Sequence, residues 1–304
     1  MTGLEAAGEP IIEIQRLTKR YGTIVAVDDL TLRVGSGGIT GFLGRNGAGK
    51  STTIKMLLGI VRPSSGTARL LGRRIDDPRE HRDARRRVAY VHEDKQTYAY
   101  LTVSEMIAFT RSFYDDWRSD VEERLLREYE LPPRRKIRAL SKGMRTKLAL
   151  LLALARRPRL LILDEPSEGL DPVSIEHLLR ALVVAAAEGT TVFFSSHQIS
   201  EVERIADHVC VLDTGHLVVD APLDHIRQTY RRVTLGFSTE PPAMRQFDVD
   251  GVQSVRADGR QVTIVAARNV DAIVERGYGL GAVAVDTVPV SLREVFLETV
   301  GEER

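Results

Sequence analysis

The segment 44–52, GRNGAGKST, constrains the fold of this 304-residue chain more than any other feature. It follows an apolar run at 39–43 and precedes a helix-like segment at 51–58. The segment fits the pattern G-x-x-x-x-G-K-[S/T], in which glycines let the backbone wrap closely around phosphate groups. A Gly-rich turn before a helix is the alternative. Because the segment stands between a strand and a helix, the context favours a phosphate loop at a helix N-terminus.

The individual residues of this loop have predicted roles. Lys50 would reach the β- and γ-phosphates of a nucleotide, and the Ser51 hydroxyl would ligate Mg²⁺. The other residues predicted to contact the nucleotide here are Gly44, Asn46, Gly47, Ala48, Gly49 and Thr52.

A second segment supplies carboxylates. The apolar run 160–163 predicts a buried strand that ends at Asp164 and Glu165. Asp164 would lie near the Mg²⁺ of the phosphate loop, and Glu165 could polarise an attacking water as a general base. Such a strand end is common by itself, and the phosphate loop is what makes it informative.

The chain divides into two parts of different character. Over the first ~230 residues, strand-like and helix-like segments alternate, which predicts a mostly parallel α/β sheet. After about Gln228, a hairpin at 252–265, a helix at 269–276, a strand at 281–288 and a final helix at 291–300 predict a small α+β appendage. We therefore expect domains at 1–228 and 229–304.

Composition excludes several classes of protein. Lys and Arg number 43 and Asp and Glu 42, so the net charge of +1 gives no global reason to bind nucleic acid. Cys210 is the single cysteine, which excludes an intramolecular disulfide and favours a reducing compartment. The longest apolar run, 148–155, is far shorter than the ~20 residues that cross a bilayer. The first ten residues lack the pattern of a signal peptide.

The segment 140–144, LSKGM, distinguishes between kinases, GTPases, helicases and transport ATPases, which all contain phosphate loops. Here the sequence resembles the nucleotide-binding subunit of ATP-binding cassette (ABC) transporters, whose signature loop has the form LSGGQ. Further motifs follow in the family's order over about residues 11–222. They are the A-loop aromatic Tyr21, the strand 88–93 running into the Q-loop, the D-loop 167–171 and the switch histidine His197. The closing SLREVFLETVG is similar to the tail of the export-type subfamily, which has separate membrane subunits.

The resemblance implies a fold and a reaction. The fold would be a RecA-like P-loop NTPase core with an antiparallel β edge, a helical subdomain inserted at about 94–157, and the small C-terminal α+β domain. The reaction would be hydrolysis of ATP by in-line attack of water, with ATP and Mg²⁺ bound. Glu165 would be the base, His197 would orient the γ-phosphate and water, and Asp164 would hold Mg²⁺ through a bound water.

The resemblance also implies a dimer of cassettes packed head to tail. Ser141 and the N–H of Gly143 would contact the γ-phosphate of the ATP held by the partner, and Asp171 would communicate between the two sites. Tyr21 would stack on adenine. The second cassette could be another copy of this chain or a different chain, and both remain open.

Two departures from the family pattern matter. Lys142 and Met144 stand where Gly and Gln are usual, but the required contacts use Ser141 and Gly143, so we expect the site to work. Lys142 is expected to face solvent. At the Q-loop, Glu93 replaces Gln and can still ligate Mg²⁺. Gln96 is an alternative that would require an insertion in the motif frame.

Transport would need membrane-spanning helices from another polypeptide. We therefore expect a multi-helix transmembrane permease subunit as partner, and a peripheral location at the cytoplasmic face of the cell membrane. Export is favoured, and the cargo stays open among drugs, peptides, lipids and ions. The segment 94–117 is the candidate dock for the permease, unless its aromatic residues pack internally. Those aromatic residues are Tyr98, Tyr100, Phe113, Tyr114 and Trp117.

Two alternatives to transport stay open. One is a soluble ABC ATPase, and the other is a regulatory subunit that binds ATP without turnover. The presence of Glu165 and His197 argues against a subunit without turnover.

Two basic runs have no place in these motifs. One contains Arg82 and 85–87, and the other contains Arg156, Arg157 and Arg159. A solvated helix face is the favoured interpretation of both, and contact with anionic lipid or a membrane subunit is the less favoured one.

Overall fold

The computed structural model describes residues 9–92 and 98–300. Its strands are β1 (Ile12–Tyr21), β2 (Ile24–Val34), β3 (Ile39–Leu43), β4 (Ser65–Leu70), β5 (Arg73–Arg74), β6 (Val88–Val91), β7 (Leu160–Leu163), β8 (Thr191–Ser196), β9 (His208–Asp213), β10 (His216–Pro222), β11 (Arg231–Phe237), β12 (Val252–Asp258), β13 (Gln261–Ala266) and β14 (Ala282–Pro289). Its α-helices are α1 (Lys50–Leu57), α2 (Pro78–Arg86), α3 (Val103–Arg111), α4 (Ser119–Glu128), α5 (Lys142–Leu154), α6 (Pro172–Ala187), α7 (Ile199–Ile205), α8 (Leu223–Thr229), α9 (Val270–Gly279) and α10 (Leu292–Thr299).

The chain forms two compact units, the first ending at Leu217 and the second beginning at Val218. The predicted boundary after residue 228 therefore falls inside the second unit. The reason is that α8 contacts β14 and α10, which both belong to that unit.

A six-stranded sheet in the order β10-β9-β3-β8-β7-β6 is the centre of the nucleotide-binding fold. Strands β9, β3, β8, β7 and β6 run parallel, and every residue of β3 and β7 is buried. Such apolar strands are typical of parallel sheets that helices cover on both faces. This arrangement confirms the predicted α/β class. It also brings the ends of β3, β7 and β8 to one edge of the sheet.

The N-terminal strands form a separate antiparallel sheet in the order β2-β1-β4-β5. It is therefore a sheet of its own rather than an edge of the parallel sheet. Its buried residues Ile12, Ile14 and Leu32 share one hydrophobic core with Phe42 of β3 and Phe193 of β8. The ring centroids of Phe42 and Phe193 lie 5.2 Å apart.

Helices α3, α4 and α5 lie within the segment predicted as a helical insertion. Thr102 begins α3 with a capping box, because its hydroxyl accepts from the Glu105 backbone while the Glu105 carboxylate accepts from the Thr102 backbone. A β-bridge between Thr102 and Lys136 joins the start of α3 to the segment before α5. None of the helices within 9–92 and 98–300 is long and apolar enough to cross a membrane.

The second unit is an α+β structure. Its antiparallel sheet has the order β12-β13-β11-β14, and β12 and β13 form the hairpin that the sequence predicts at 252–265. Val233, Leu235 and Ile264 of the sheet share a core with Ile273 of α9.

Candidate active site

The loop 44–49 connects β3 to α1, as the sequence predicts. Two of its glycines have positive φ, 85° at Gly47 and 105° at Gly49. A Cβ at Gly49 would lie 2.4 Å from the Ala26 carbonyl oxygen, so this position needs glycine for space as well as conformation. The loop therefore reaches the start of α1 with its backbone close to a neighbouring strand.

Lys50, the first residue of α1, is buried and folded back over the loop. Its Nζ donates to the carbonyl oxygens of Gly44 at 2.7 Å and Arg45 at 3.2 Å. The same Nζ lies 3.0 Å from Oε1 of Glu165. The predicted phosphate cation and the predicted general base are thus in direct contact.

Asp164 receives two hydrogen bonds at the end of β7. The hydroxyls of Ser51 and Ser195 each donate to its Oδ1 at 2.9 Å. Asp164 is 2% exposed. A serine hydroxyl beside a carboxylate is a donor set that suits Mg²⁺, and Thr52 follows in the same helical turn. Asn46 and Gly47 are exposed on the loop, whereas Ala48 is buried.

Glu165 and His197 meet across the ends of β7 and β8. Nδ1 of His197 lies 2.9 Å from Oε2 of Glu165, and the His197 backbone N–H donates to the same oxygen at 3.3 Å. Glu165 has a φ of 45°, a left-handed conformation that costs free energy in a non-glycine residue. Its backbone N–H donates to the Ser195 hydroxyl at 3.0 Å, which helps to hold this conformation.

The site contains a buried carboxylate that the sequence did not single out. Oε2 of Glu201 accepts hydrogen bonds from the hydroxyls of Ser167 at 2.8 Å and Ser196 at 3.1 Å. Burial raises the pKa of Glu201 above its usual value. Glu201 therefore links Ser196, which precedes His197, to Ser167, which lies two residues after Glu165. In the sequence, only the two serines directly before His197 could have indicated that a buried polar group lies near the histidine.

The signature segment begins a helix, as predicted. Ser141 is the N-cap of α5, and its hydroxyl accepts from the Met144 backbone at 3.1 Å. Gly143 is buried, and a Cβ there would lie 2.4 Å from the Ser174 hydroxyl oxygen. Asp171, the N-cap of α6, accepts from both the backbone and the hydroxyl of Ser174. Gly143 and the predicted D-loop residue Asp171 therefore both contact Ser174.

Lys142 is exposed, as expected, but the end of its side chain lies against Gly169. A Cβ at Gly169 would lie 2.2 Å from Lys142 Nζ, so the ammonium group rests against the D-loop backbone. The absence of a side chain at Gly169, where φ is 65°, leaves the space for it.

Among the residues that the structure describes, the remaining predicted site residues do not form the contacts with the phosphate loop that Asp164 and Glu165 form. Tyr21 is 46% exposed at the end of β1, with Lys19 Nζ 4.8 Å from its ring centroid. Within 9–92 and 98–300, neither Ser141 nor Gly143 forms a hydrogen bond with loop 44–52. Glu93, the predicted Mg²⁺ ligand, and its alternative Gln96 lie outside the described residues.

Comparisons with known proteins point to one family. The family model described as "ABC transporter" matches residues 27–168. The bacitracin transport ATP-binding protein BcrA of Enterococcus faecalis is 36% identical over 97% of this chain and 87% of its own length. The Nod factor export ATP-binding protein I of Ralstonia nicotianae is 31% identical over 97% of this chain and 95% of its own length.

A solved structure supports the same conclusion. The structure titled as the ATP binding subunit of an ABC transporter has a TM-score of 0.65 and 32% identity. The match covers 72% of this chain and 92% of that one. The loop, the carboxylates and the histidine lie at one edge of a parallel sheet, and the relatives match over nearly the whole chain. The protein therefore belongs to the ABC transporter family as an ATP-hydrolysing, ATP-binding subunit.

Proposed function

We propose that this subunit powers export through a separate membrane-spanning partner, with each ATP held between two cassettes. The observation that carries the proposal is the separation of two phosphate-binding elements. Loop 44–52 would bind phosphate through its backbone and Lys50. Ser141 and Gly143 lie at another helix N-terminus and, within the described residues, form no hydrogen bond with that loop. A second cassette, from the same or a different chain, would bring its own signature segment to the ATP.

Within each site, the residues have complementary tasks. Mg²⁺, when bound, supplies charge neutralisation for the phosphates. Ser51 and Glu93 would hold it directly and Asp164 through a water. Glu165 would accept a proton from the attacking water, because it is within hydrogen-bonding reach of His197, which orients it. Tyr21, exposed at the end of β1, would support the adenine ring.

The direction of transport is proposed from the relatives. One is named for bacitracin transport and another for Nod factor export, and both match this chain over 97% of its length. Export of an organic molecule is therefore the favoured activity. The partner would supply the membrane spans and place this subunit at the cytoplasmic face of the membrane.

The proposed dock is a cluster of exposed aromatic residues that follows the Q-loop segment in the sequence. Tyr98, Tyr100 and Phe113 are 48%, 67% and 66% exposed, and Phe109 joins them through ring contacts at 5.3 Å with Tyr98 and 5.1 Å with Phe113. An exposed apolar cluster of this kind suits a protein interface.

Two aromatic residues of the predicted dock instead make internal contacts. The guanidinium of Arg156 lies 4.1 Å from the ring centroid of Tyr114. The indole N–H of Trp117 donates to Glu122 at 2.6 Å. We therefore restrict the dock to Tyr98, Tyr100, Phe109 and Phe113.

The second unit is proposed to be accessory, because the predicted nucleotide and catalytic residues all precede it. A chain truncated after residue 230 should still bind ATP if it folds. A folded truncation without ATP affinity would contradict this division.

A complementation assay tests the shared sites. Lys50→Ala and Ser141→Arg should each abolish ATP hydrolysis, the first by removing the phosphate cation and the second by blocking the signature contact. In a mixed head-to-tail dimer, one site carries both changes and the other carries neither. Mixing the two inactive proteins should therefore restore activity. Where the native chain hydrolyses ATP by itself, its sites form between two copies, so a mixture that restores nothing would mean that each chain uses its own Ser141 and that the proposal is wrong.

A further inference from the structure

A cavity of about 570 Å³ lies in the first unit, away from every residue predicted to contact nucleotide. It is bounded by α4, the turn after α5, and the C-terminal half of α6. Six arginines line it: Arg87, Arg118, Arg124, Arg157, Arg159 and Arg180. The cavity is within the range of 300–1,000 Å³ that is usual for small-molecule sites.

The lining carries more positive than negative charge. Asp116, Glu128 and Glu188 are its three carboxylates, against six arginines. Glu188 is already paired, since its Oε1 lies 2.7 Å from Arg124 and its Oε2 lies 3.6 Å from Arg118. The excess is local, because the whole chain has a net charge of only +1.

Four of the arginines are left without a side-chain partner. Among the residues that the structure describes, Arg87, Arg157, Arg159 and Arg180 form no ion pair and no side-chain hydrogen bond. Like charges around one concave surface reinforce each other's potential and attract anions. Guanidinium groups suit phosphate in particular, because their planar N–H groups can form two parallel hydrogen bonds with it.

The two basic runs of the sequence meet at this cavity. The Arg159 backbone N–H donates to the Arg87 carbonyl at 2.9 Å, which brings the end of one run against the end of the other. Both residues also line an adjoining cavity of about 360 Å³, to which Arg73 and Arg86 contribute. The basic surface therefore extends beyond the first cavity, and solvated helix faces alone do not describe it.

The inner wall has a different character. Leu125, Val184 and Ala185 line it, together with Tyr129, which is 3% exposed. Neither the Tyr129 hydroxyl nor Nε of Arg124 has a hydrogen-bond partner among the described residues. With this wall, the cavity has an apolar side as well as a basic one.

We infer that this cavity binds an anion that carries at least two phosphate groups next to an apolar part. The four unpaired arginines would hold the phosphates, and the wall of Leu125, Tyr129 and Val184 would contact the apolar part. Free organic polyphosphates and the two-phosphate headgroup of cardiolipin share this chemistry. The site is separate from loop 44–52, so its ligand would bind in addition to ATP.

Calorimetric titration of the full chain with inorganic tripolyphosphate tests the inference. The chain should carry Lys50→Ala, so that the phosphate loop contributes little binding. Adding Arg159→Gln and Arg180→Gln should raise the Kd at least about tenfold, since two charge-assisted hydrogen bonds are lost. The matched control adds Arg82→Gln and Arg85→Gln, which remove the same charge from exposed residues outside both cavities.

A second arm uses phosphatidylcholine vesicles with and without cardiolipin, a lipid that carries two phosphate groups beside its acyl chains. Tripolyphosphate binding that depends on Arg159 and Arg180, without vesicle binding, supports a soluble polyphosphate. Binding to the cardiolipin vesicles with the same dependence on Arg159 and Arg180 supports a lipid headgroup as the source of phosphate. If neither probe distinguishes the cavity variant from the control, the inference is wrong.

Discussion

Nζ of Lys50 lies 3.0 Å from Oε1 of Glu165, so the cation that would bind phosphate neutralises the carboxylate that would activate water. Both side chains are at least nine-tenths buried, at 5% and 10% exposure. A bound nucleotide would offer Lys50 phosphate oxygens instead and would release Glu165 toward the water. The contact thus links the proposed binding and hydrolysis steps.

Replacing Lys50 tests the binding step. Lys50→Ala should abolish tight ATP binding, because the β- and γ-phosphates lose their cation and Oε1 of the buried Glu165 loses the lysine beside it. Fluorescence titration with a labelled ATP analogue measures the change. Lys55→Ala, a lysine on the same helix, is the matched control and should retain affinity. Unchanged affinity in Lys50→Ala would contradict the assigned role.

Replacing Glu165 separates binding from turnover. Glu165→Gln should bind ATP but hydrolyse it at least about 100-fold more slowly, because the amide cannot accept the water's proton. The variant should accumulate as an ATP-bound dimer in size-exclusion chromatography with Mg-ATP. Glu168→Gln changes a nearby, more exposed carboxylate and should hydrolyse ATP much faster than Glu165→Gln. A Glu165→Gln protein that stays monomeric with ATP, alone and with its membrane partner, would exclude the closed-dimer mechanism.

The same variant tests the alternative of a regulatory subunit. If the native protein hydrolysed ATP no faster than Glu165→Gln in the steady state, a regulatory subunit would be favoured.

The phosphate loop offers a matched pair of glycines. Gly47 and Gly49 both have positive φ, but only Gly49 lacks room for a Cβ. Gly47→Ala should cost about 1–2 kcal/mol of unfolding free energy from conformation alone. Gly49→Ala should cost more, because its Cβ would clash with the Ala26 carbonyl oxygen. Urea denaturation of both variants measures the difference, and equal losses would show that the loop relaxes.

Glu201 gives a prediction about pH. Burial raises its pKa in the native state above its pKa in the unfolded state. At pH values between these two, the native state therefore binds more protons than the unfolded state. The free energy of unfolding therefore falls as the pH rises through that interval, and a tenfold difference between the two acid constants corresponds to about 1.4 kcal/mol. Glu201→Gln should remove this loss, so the unfolding free energy of the variant relative to that of the unsubstituted protein should increase as the pH rises above 4.5, the usual pKa of the group. Glu240→Gln, an exposed control, should show no such trend in urea denaturation.

The Q-loop assignment is tested by two alanine variants. Glu93→Ala should weaken the Mg²⁺ dependence of hydrolysis and uncouple it from stimulation by the membrane subunit, because a carboxylate ligand is lost. Glu93→Gln should largely preserve both properties, since an amide oxygen can still ligate the ion. Gln96→Ala should change little. The reverse result, with Gln96→Ala uncoupling hydrolysis, would mean that the motif frame is displaced by three residues.

Much of the nucleotide site could be predicted because its local context is strong. The strand before loop 44–52 has the predicted bounds, Ile39–Leu43, and the helix after it begins at Lys50, one residue before the prediction. Asp164, Glu165 and His197 follow short apolar strands, and parallel pairing necessarily brings such ends to one edge. The sequence could therefore indicate the cluster without giving its distances.

Contacts that depend on packing could not be predicted in this way. Helix α2 carries charged residues on most of its length, and only the cap at Asp77, followed by Pro78, marks its start. The hydrogen bond between Ser167 and Glu201 joins residues 34 positions apart, and no local pattern encodes it. The meeting of Arg87 and Arg159 likewise follows from the pairing of β6 with β7.

The position of β3 has a consequence for synthesis on the ribosome. Its two neighbours are β8 and β9, which are made about 150 and 170 residues after it. Until those strands emerge, the growing chain has no partner for either edge of a fully buried strand. Such exposed edges favour aggregation, and distant pairing is slow. We therefore expect nascent chains that end before residue 191 to depend on chaperones, and ATP affinity to arise only after residue 213 has left the exit tunnel.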